Sequence, residues 1–352
     1  MPNGQWYPPE WPDRIRALAA GELTAVEPRR AATVMLLRDG AAGVDAGTRD
    51  GAAGVDARPD GSSGAAAGMD AGPDGSSGAA AAGTGTAATG TGPRTPATGT
   101  GTGPGLSVHM LRRRTSMAFA GGAYAYPGGG VDPRDAEDAQ LGWAGPSRDA
   151  WAARLGTDPA AAQAIVCAAV RETYEEAGVL LAGPDATTVV GDTTGDDWEA
   201  DRQALVTRDL SFAEFLDRRG LVLRSDLLGA WARWITPEFE PRRYDTWFFV
   251  AMLPEGQVTR NASTEADRTV WIRPAEAAAG YDKGELLMMP PTISTLRDLL
   301  PYDSAAEALV AAAERDLDPV LAQARLSASG ELVLSWPGHD EFTKHIPAGG
   351  RA

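Results

Sequence analysis

Apolar residues fall into two kinds of run along this chain, and each kind predicts a different element. "AATVMLLRD" (31–39) is almost unbroken in apolar character, as a strand covered on both faces would be, and "LSVHMLRRR" (106–114) is a second run able to pair with it. "TDPAAAQAIVCAAVRETYEEAGVLL" (157–181) instead spaces its larger apolar side chains at helical intervals, so Ile165, Val166, Ala169, Val170 and Tyr174 predict a buried helix face. Both ends of that helix are marked: Thr157 or Asp158 caps it, Pro159 suits its first turn, and Gly178 supplies the left-handed residue that stops it. "LLGAWARWITPEFEPRRYDTWFFVAMLP" (227–254) reads as two strands around a polar loop, and "RTVWIRPAEAAAG" (268–280) as a strand followed by a short helix. "PPTISTLRDLL" (290–300) and "SAAEALVAAAERD" (304–316) read as helices, and "GELVLSWPG" (330–338) as a last short strand. Strands on both sides of an internal helix predict an α/β domain with a mixed sheet.

Between the first two strands the pattern vanishes. From about 40 to 105 the chain repeats DGAAGVDA and PDGSSGAAA and then decays into Thr-Gly units, with almost no large apolar side chain. Ordering such a segment costs backbone entropy with no burial to offset it, so it is expected to be a disordered insert in a hairpin loop. Loop closure grows costlier only logarithmically with length, which lets one domain carry it. Its periodicity also raises a repeat fold, but the units are too short and too poor in apolar residues to stack a core.

Composition narrows the function classes. The 352 residues carry a formal net charge of −16, which opposes general binding to nucleic acid or to an anionic membrane and leaves an anionic ligand dependent on metal ions or local arginines. No run of apolar residues is long enough to span a bilayer, and the first residues lack a basic region followed by an apolar one, so a cytoplasmic location is expected. The lone Cys167 lies in an apolar stretch and reads as a core residue.

The chemistry concentrates in "AAVRETYEEAGVLL" (168–181). On a helix, Glu172 lies three and four residues before Glu175 and Glu176, so three carboxylates share one side and repel, and Arg171 offsets only part of that charge. A solvated charged face is the bland reading. A hard divalent cation, which seeks a few carboxylates together with water and phosphate oxygens, is the other. Upstream, "YPGGG" (126–130) supplies glycines that let backbone approach a ligand closely.

Together "PGGG" and "RETYEEAG" resemble the Nudix hydrolase signature, a glycine-led loop followed by a helix bearing Arg-Glu, then Glu-Glu, then Gly. Arg171, Glu172, Glu175, Glu176 and Gly178 match its helical half, with Tyr174 at a usually aliphatic position. The family places a glycine fourteen residues before the arginine and a glutamate eight before it, whereas Thr157 and Gln163 stand there, so the loop glutamate is missing at its usual distance. An insertion within the loop is similar to the branch of the mammalian peroxisomal coenzyme A diphosphatase. Arg233, Thr236, Pro237, Arg242, Arg243, Tyr244, Asp245 and Thr246 add to that similarity.

The resemblance implies a Nudix-type α/β/α sandwich over residues 31–302, interrupted at 40–105, with 1–30 as an N-terminal segment and 303–352 as a helical extension and tail. It implies Mg²⁺ or Mn²⁺ held by Glu172, Glu175 and Glu176, with Gly130 as a further contact, and a general base that is either Glu172 or Glu265, Arg171 assisting. Arg113, Arg114, Arg242 and Arg243 are candidate phosphate ligands, and Phe119 and Tyr126 are candidates to stack on a base or to pack in the core. The implied partner is a small-molecule nucleotide diphosphate, coenzyme A or an acyl derivative being favoured, with no nucleic acid and no membrane; a homodimer is compatible. NADH, ADP-ribose and dinucleotides are alternative substrates, and a non-catalytic nucleotide sensor is an alternative class, although intact mutually repelling acids argue against it.

Overall fold

The computed structural model describes residues 10–40, 105–117, 120–136, 141–263, 265–326, 332–337 and 339–342. The insert of 41–104, Phe119 and the last ten residues lie outside them. In chain order the first half forms α1 (Trp11–Ala19), β1 (Arg29–Gly40), β2 (Gly105–Arg113), β3 (Tyr124–Ala125), β4 (Gly128–Gly130), β5 (Trp143–Ala144), α2 (Arg148–Leu155), α3 (Pro159–Ala177) and β6 (Ala182–Gly183). The second half forms α4 (Asp196–Val206), α5 (Phe212–Arg218), β7 (Val222–Arg224), β8 (Leu228–Ile235), β9 (Tyr244–Met252), β10 (Ala266–Ile272), α6 (Pro274–Lys283), α7 (Pro290–Arg297) and α8 (Ala305–Ala311), followed by the short strands β11 (Val320–Leu321), β12 (Gln323–Leu326), β13 (Leu332–Trp336) and β14 (His339–Phe342).

The main sheet is mixed and runs β10-β2-β1-β9-β8-β11. β1 is parallel to β9 and antiparallel to β2. Its unbroken apolar run has a plain cause, since both faces of the sheet are covered. Ala32, Val34 and Leu36 enter the core built against α3, while Met35 and Leu37 enter the core closed by α1, α6, α7 and α8. Helices therefore sandwich the sheet, as the α/β/α reading expects.

Along β1 the partner changes. Residues Leu37–Gly40 pair with β2, but Ala31–Thr33 pair with β4, so the glycine loop occupies the gap where β1 and β2 part. The approach is very close. A Cβ on Gly128 would stand 2.5 Å from Thr33 Oγ1 and 2.6 Å from the Ala32 carbonyl, which explains why glycine sits there.

α3 begins at Asp158, whose carboxylate accepts from the Ala161 amide at 2.9 Å, and stops at Gly178 with φ of +70°. The expected buried stripe is present, yet the helix is covered on more sides than a single stripe requires. The cause lies in α2, the turn at Pro133–Ala136, β4 and α4, which pack on it beside β1. β5, from the stretch before α3, pairs in parallel with β7, and β6 pairs antiparallel with the same strand, so these segments form a small second sheet. Tyr174 is fully buried against α4 and α5, stacked on Phe215 at 5.2 Å with its hydroxyl donating to the Trp198 carbonyl at 2.7 Å. A polar-tipped ring is thus accommodated where an aliphatic residue is usual.

The C-terminal elements join the same core. Arg154 in α2 donates through Nη2 to the carbonyls of Ala230, Ala312 and Arg315 at 3.3, 2.8 and 2.7 Å, tying α2, β8 and the end of α8 together. Among the described residues no helix is long and apolar enough to cross a membrane.

Candidate active site

The exposed side of α3 faces the glycine loop, and the acids of "RETYEE" meet it there. Glu176 accepts from the Gly128 amide at 2.9 Å. Glu172 lies directly over Gly129, where an added Cβ would come within 2.5 Å of its carboxylate. Arg171 sits beneath them, nearly enclosed. Its Nη1 donates to Glu172 at 2.8 Å and to Glu175 at 3.2 Å, and its Nη2 donates to the Gly130 carbonyl at 3.0 Å.

The fourth partner of Arg171 is one that the motif reading missed. Asp135 accepts from Nε and from Nη2, both at 2.9 Å, in a bidentate pair with only 2% of the aspartate side chain exposed. Asp135 follows Gly129 by six residues, the separation between the family's loop glycine and loop glutamate. The missing acid is therefore present, shortened to aspartate and carried upstream by the insertion, so that it stands 36 residues from Arg171 in sequence. Gln163, at the usual distance, is buried in α3 and accepts from Arg148, which belongs to the inserted stretch. Counting forward from the glycines finds Asp135; counting back from the arginine does not.

Three carboxylates, Asp135, Glu172 and Glu175, thus share one interior guanidinium, and Glu176 lies beside them on the Gly128 amide. Burial pushes the Glu172 carboxyl up to about 7, with Glu175 adding to the rise and Arg171 opposing it. Burial pushes Glu176 up to about 8, reinforced by Glu172 and Glu265 and opposed by the Gly128 amide and Arg113. Glu175 is raised by the same cause. Burial disfavours the charge on Arg171, yet Asp135, Glu172 and Glu175 hold it firmly protonated.

The remaining candidates divide. Glu265 reaches the site from the loop before β10, 3.6 Å from Nη2 of Arg113, and both act on Glu176 electrostatically. Arg114 is exposed, with its amide donating to the Glu265 carbonyl at 2.8 Å. Arg242 is exposed in the β8–β9 loop. Two assignments need correction. Arg243 points inward and donates to the carbonyls of Thr236 and Val26 at 3.0 and 2.7 Å, so it braces the hairpin rather than presenting its guanidinium to a ligand. Tyr126 is 4% exposed and its hydroxyl donates to the Thr292 carbonyl at 3.1 Å, which makes it a core residue with a satisfied polar tip. The Gly130 carbonyl is engaged by Arg171, as given above.

Glu175 also has backbone support that the sequence did not suggest. Arg202, 2% exposed on α4, donates to the Glu175 carbonyl at 2.6 Å and pairs with Glu199. Among the described residues no three acidic, histidine or cysteine side chains stand as a ready-made metal cage, because Glu172 and Glu175 both turn to Arg171. The donor set nonetheless suits a hard divalent cation in kind and in charge. All donors are carboxylates, and their proton affinities are raised first by burial and then by neighbouring acids, a cost to the charged forms that a bound cation would offset.

The chain is similar to known proteins of the Nudix family. Residues 152–299 match the family model of the NUDT19 Nudix domain. The acyl-coenzyme A diphosphatase NUDT19 of Xenopus laevis is 23% identical over 274 residues, covering 67% of this chain and 71% of that protein. The human acyl-coenzyme A diphosphatase NUDT19 is 27% identical over 237 residues, covering 58% and 63%, and the putative nudix hydrolase 7 of Caenorhabditis elegans is 28% identical over 201 residues, covering 54% and 55%. The chain therefore spans between about half and seven tenths of the length of these relatives. A crystal structure of a Nudix hydrolase from Alicyclobacillus acidocaldarius shares the fold, with a TM-score of 0.54 at 22% identity over 84% of this chain and 99% of that one.

Proposed function

Residues 152–299 of this chain form a Nudix domain similar to that of NUDT19, and we propose that the protein is a divalent-cation-dependent diphosphatase acting on a nucleoside diphosphate linked to a second group. One observation carries this reading: Glu172, Glu175 and Glu176 are gathered on α3 against the glycine loop, Glu172 and Glu175 sharing Arg171 with Asp135 while Glu176 takes the Gly128 amide. A fold gains nothing from such crowding, whereas an ion-binding site depends on it.

Glu172, Glu175 and Glu176 would hold Mg²⁺ or Mn²⁺. The bound ion supplies charge neutralisation of the diphosphate and a water acidified toward neutral pH. Everything else falls to the chain. The glycine loop gives the diphosphate close access to backbone, Arg171 with Asp135 keeps the acids in place, and Arg113 offers a guanidinium to a phosphate oxygen. Glu265 is better placed than Glu172 to accept the proton of the attacking water, since it is exposed and makes no bond to Arg171. Coenzyme A or its acyl derivatives are the favoured substrates, on the strength of what the NUDT19 relatives are named for.

The test is product analysis by mass spectrometry after incubation with Mg²⁺ and coenzyme A, acetyl-coenzyme A, NADH, ADP-ribose and dinucleoside polyphosphates. Release of 3′,5′-ADP with a phosphopantetheine fragment is the expected result. AMP from another compound would keep the chemistry and move the substrate, and no product from any of them would refute the reading.

A further inference from the structure

The backbones of Arg113 and Glu265 are fixed, while their side chains are not. The Arg113 amide donates to the Ala123 carbonyl and its own carbonyl accepts from Gly122, both at 2.9 Å, and Arg113 pairs with Ala266 across the β2–β10 edge. Glu265 is held by the Arg114 amide. Between the side chains, however, the closest approach is 3.6 Å, longer than a hydrogen bond, with 28% and 57% of the two side chains exposed. Such a pair is weak.

A second observation points to what is lacking. Nε of Arg113 is buried and meets no hydrogen-bond acceptor. A guanidinium with a buried free N–H and a loosely held terminal nitrogen is suited to an acceptor with several oxygens in one plane, as a phosphate group presents. The groups acting most on Glu176 are the Gly128 amide, Glu172, Glu265 and Arg113, so Arg113 is a cation on this side of the acids.

We propose that Arg113 is a counter-ion shared in turn, held by Glu265 in the empty site and taken over by a phosphate of the substrate, which releases Glu265 to act as the base. The exchange rests on the diphosphatase reading and deepens it. Once Arg113 has turned to the phosphate, the Glu265 carboxylate has lost its ion-pair partner and is free to face the attacking water. Water then forms a bond to phosphorus, the bridging P–O bond breaks with its electron pair going to the leaving phosphate, and the proton of the water passes to Glu265.

Competition of this kind makes an unusual prediction for binding. The probe is α,β-methylene-ADP, whose P–C–P link resists cleavage, titrated calorimetrically in Mg²⁺ into the full chain and its variants. Arg113→Ala should raise Kd at least ~10-fold, the loss of a charged hydrogen bond, and Arg113→Lys should recover part of that loss. Glu265→Gln should lower Kd by about 3-fold or more, because the arginine no longer has a rival for its partner. In the Arg113→Ala background the same Glu265→Gln change should do nothing. Unaltered or weaker binding by Glu265→Gln, a gain that persists without Arg113, or no binding of the probe by any of the five proteins overturns the exchange. Turnover of the substrate mixture by the unmutated chain separates the two ideas: activity without coupling sinks the exchange alone, and coupling without activity sinks the diphosphatase reading and with it the role of Glu265 as base, leaving only the shared counter-ion.

Discussion

Replacing Asp135 by asparagine should destabilise the protein markedly although it changes almost no volume. The aspartate side chain is 2% exposed and the Arg171 side chain 11%, and two hydrogen bonds of 2.9 Å join them. Asparagine removes the charge and turns one N–H donor toward another. Breaking one side of a buried ion pair costs ~3–5 kcal/mol. The lower end applies here, because Arg171 keeps Glu172 and Glu175 and because the charge of Asp135 had been raising both of those carboxyls. A loss of roughly 3 kcal/mol corresponds to a fall in Tm of about 6–10 °C for a large domain. The assay is thermal unfolding at pH 7 in EDTA, beside Asp267→Asn as control. That aspartate pairs with Arg112 at 2.7 Å but is 29% exposed, so its loss should cost less than ~1 kcal/mol. An Asp135→Asn protein melting within about 2 °C of the parent, or a control that falls as far, would refute the claim that Asp135 fills the place of the loop glutamate.

Four further outcomes are expected. Glu175→Gln should lower turnover at least ~100-fold while Tm holds or rises, since it removes a cation ligand whose charge burial already disfavours; unchanged turnover would remove Glu175 from the site. In EDTA, stability should fall as pH rises from about 5 to 8.5, because Glu172 and Glu176 have folded values of about 7 and about 8, above their unfolded ones. The folded state therefore holds protons that the unfolded state has released. The penalty is absent below the unfolded values and complete above about 8, and a divalent cation should reverse it; a flat profile in EDTA contradicts the assignment. Gly128→Ala should impair folding because its Cβ meets backbone, Gly129→Ala should fold but lose activity because its Cβ meets only the Glu172 carboxylate, and Gly130→Ala, with nothing within 4 Å of its Cβ, should fold. Equal Tm values for the first and third would contradict the close approach of the loop to β1. Deleting residues 42–103 should leave Tm and activity nearly unchanged, because Gly40 and Gly105 are already paired across β1 and β2 and a short turn can join them; a large loss in either would assign the insert a role.

What could be read from the sequence was what local chemistry encodes. α3 announced itself by Asp158, Pro159 and Gly178, and its acids by their helical spacing. The strands around 31–39 and 227–254 were legible because a covered sheet demands long apolar runs. Pairing was less so. Nothing local to β1 says that its first residues meet β4 and its last ones β2, or that β9 lies parallel beside it. α1 was not foreseen, as its buried contacts, Trp11 and Ile15, are few and its partner Phe239 is distant in sequence. Arg243 and Tyr126 looked available because residue type reveals chemistry but not direction. Asp135 was overlooked for a different reason: a motif measured backward from its helix breaks at the first insertion, while the spacing within the loop survives.

The two ends of β1 serve different neighbours, and the distance between them has a practical meaning. Ala31 lies beside Gly130, whereas Gly40 lies beside Gly105, where the long insert departs. Nine steps of extended chain separate those positions, about 30 Å at the usual rise of a strand. The junction is thus a natural attachment point: a fluorophore, an affinity handle or a whole second protein placed there hangs from the sheet at the strand end remote from the carboxylates. Cargo of that kind could report on the protein or immobilise it without standing in the path of a ligand.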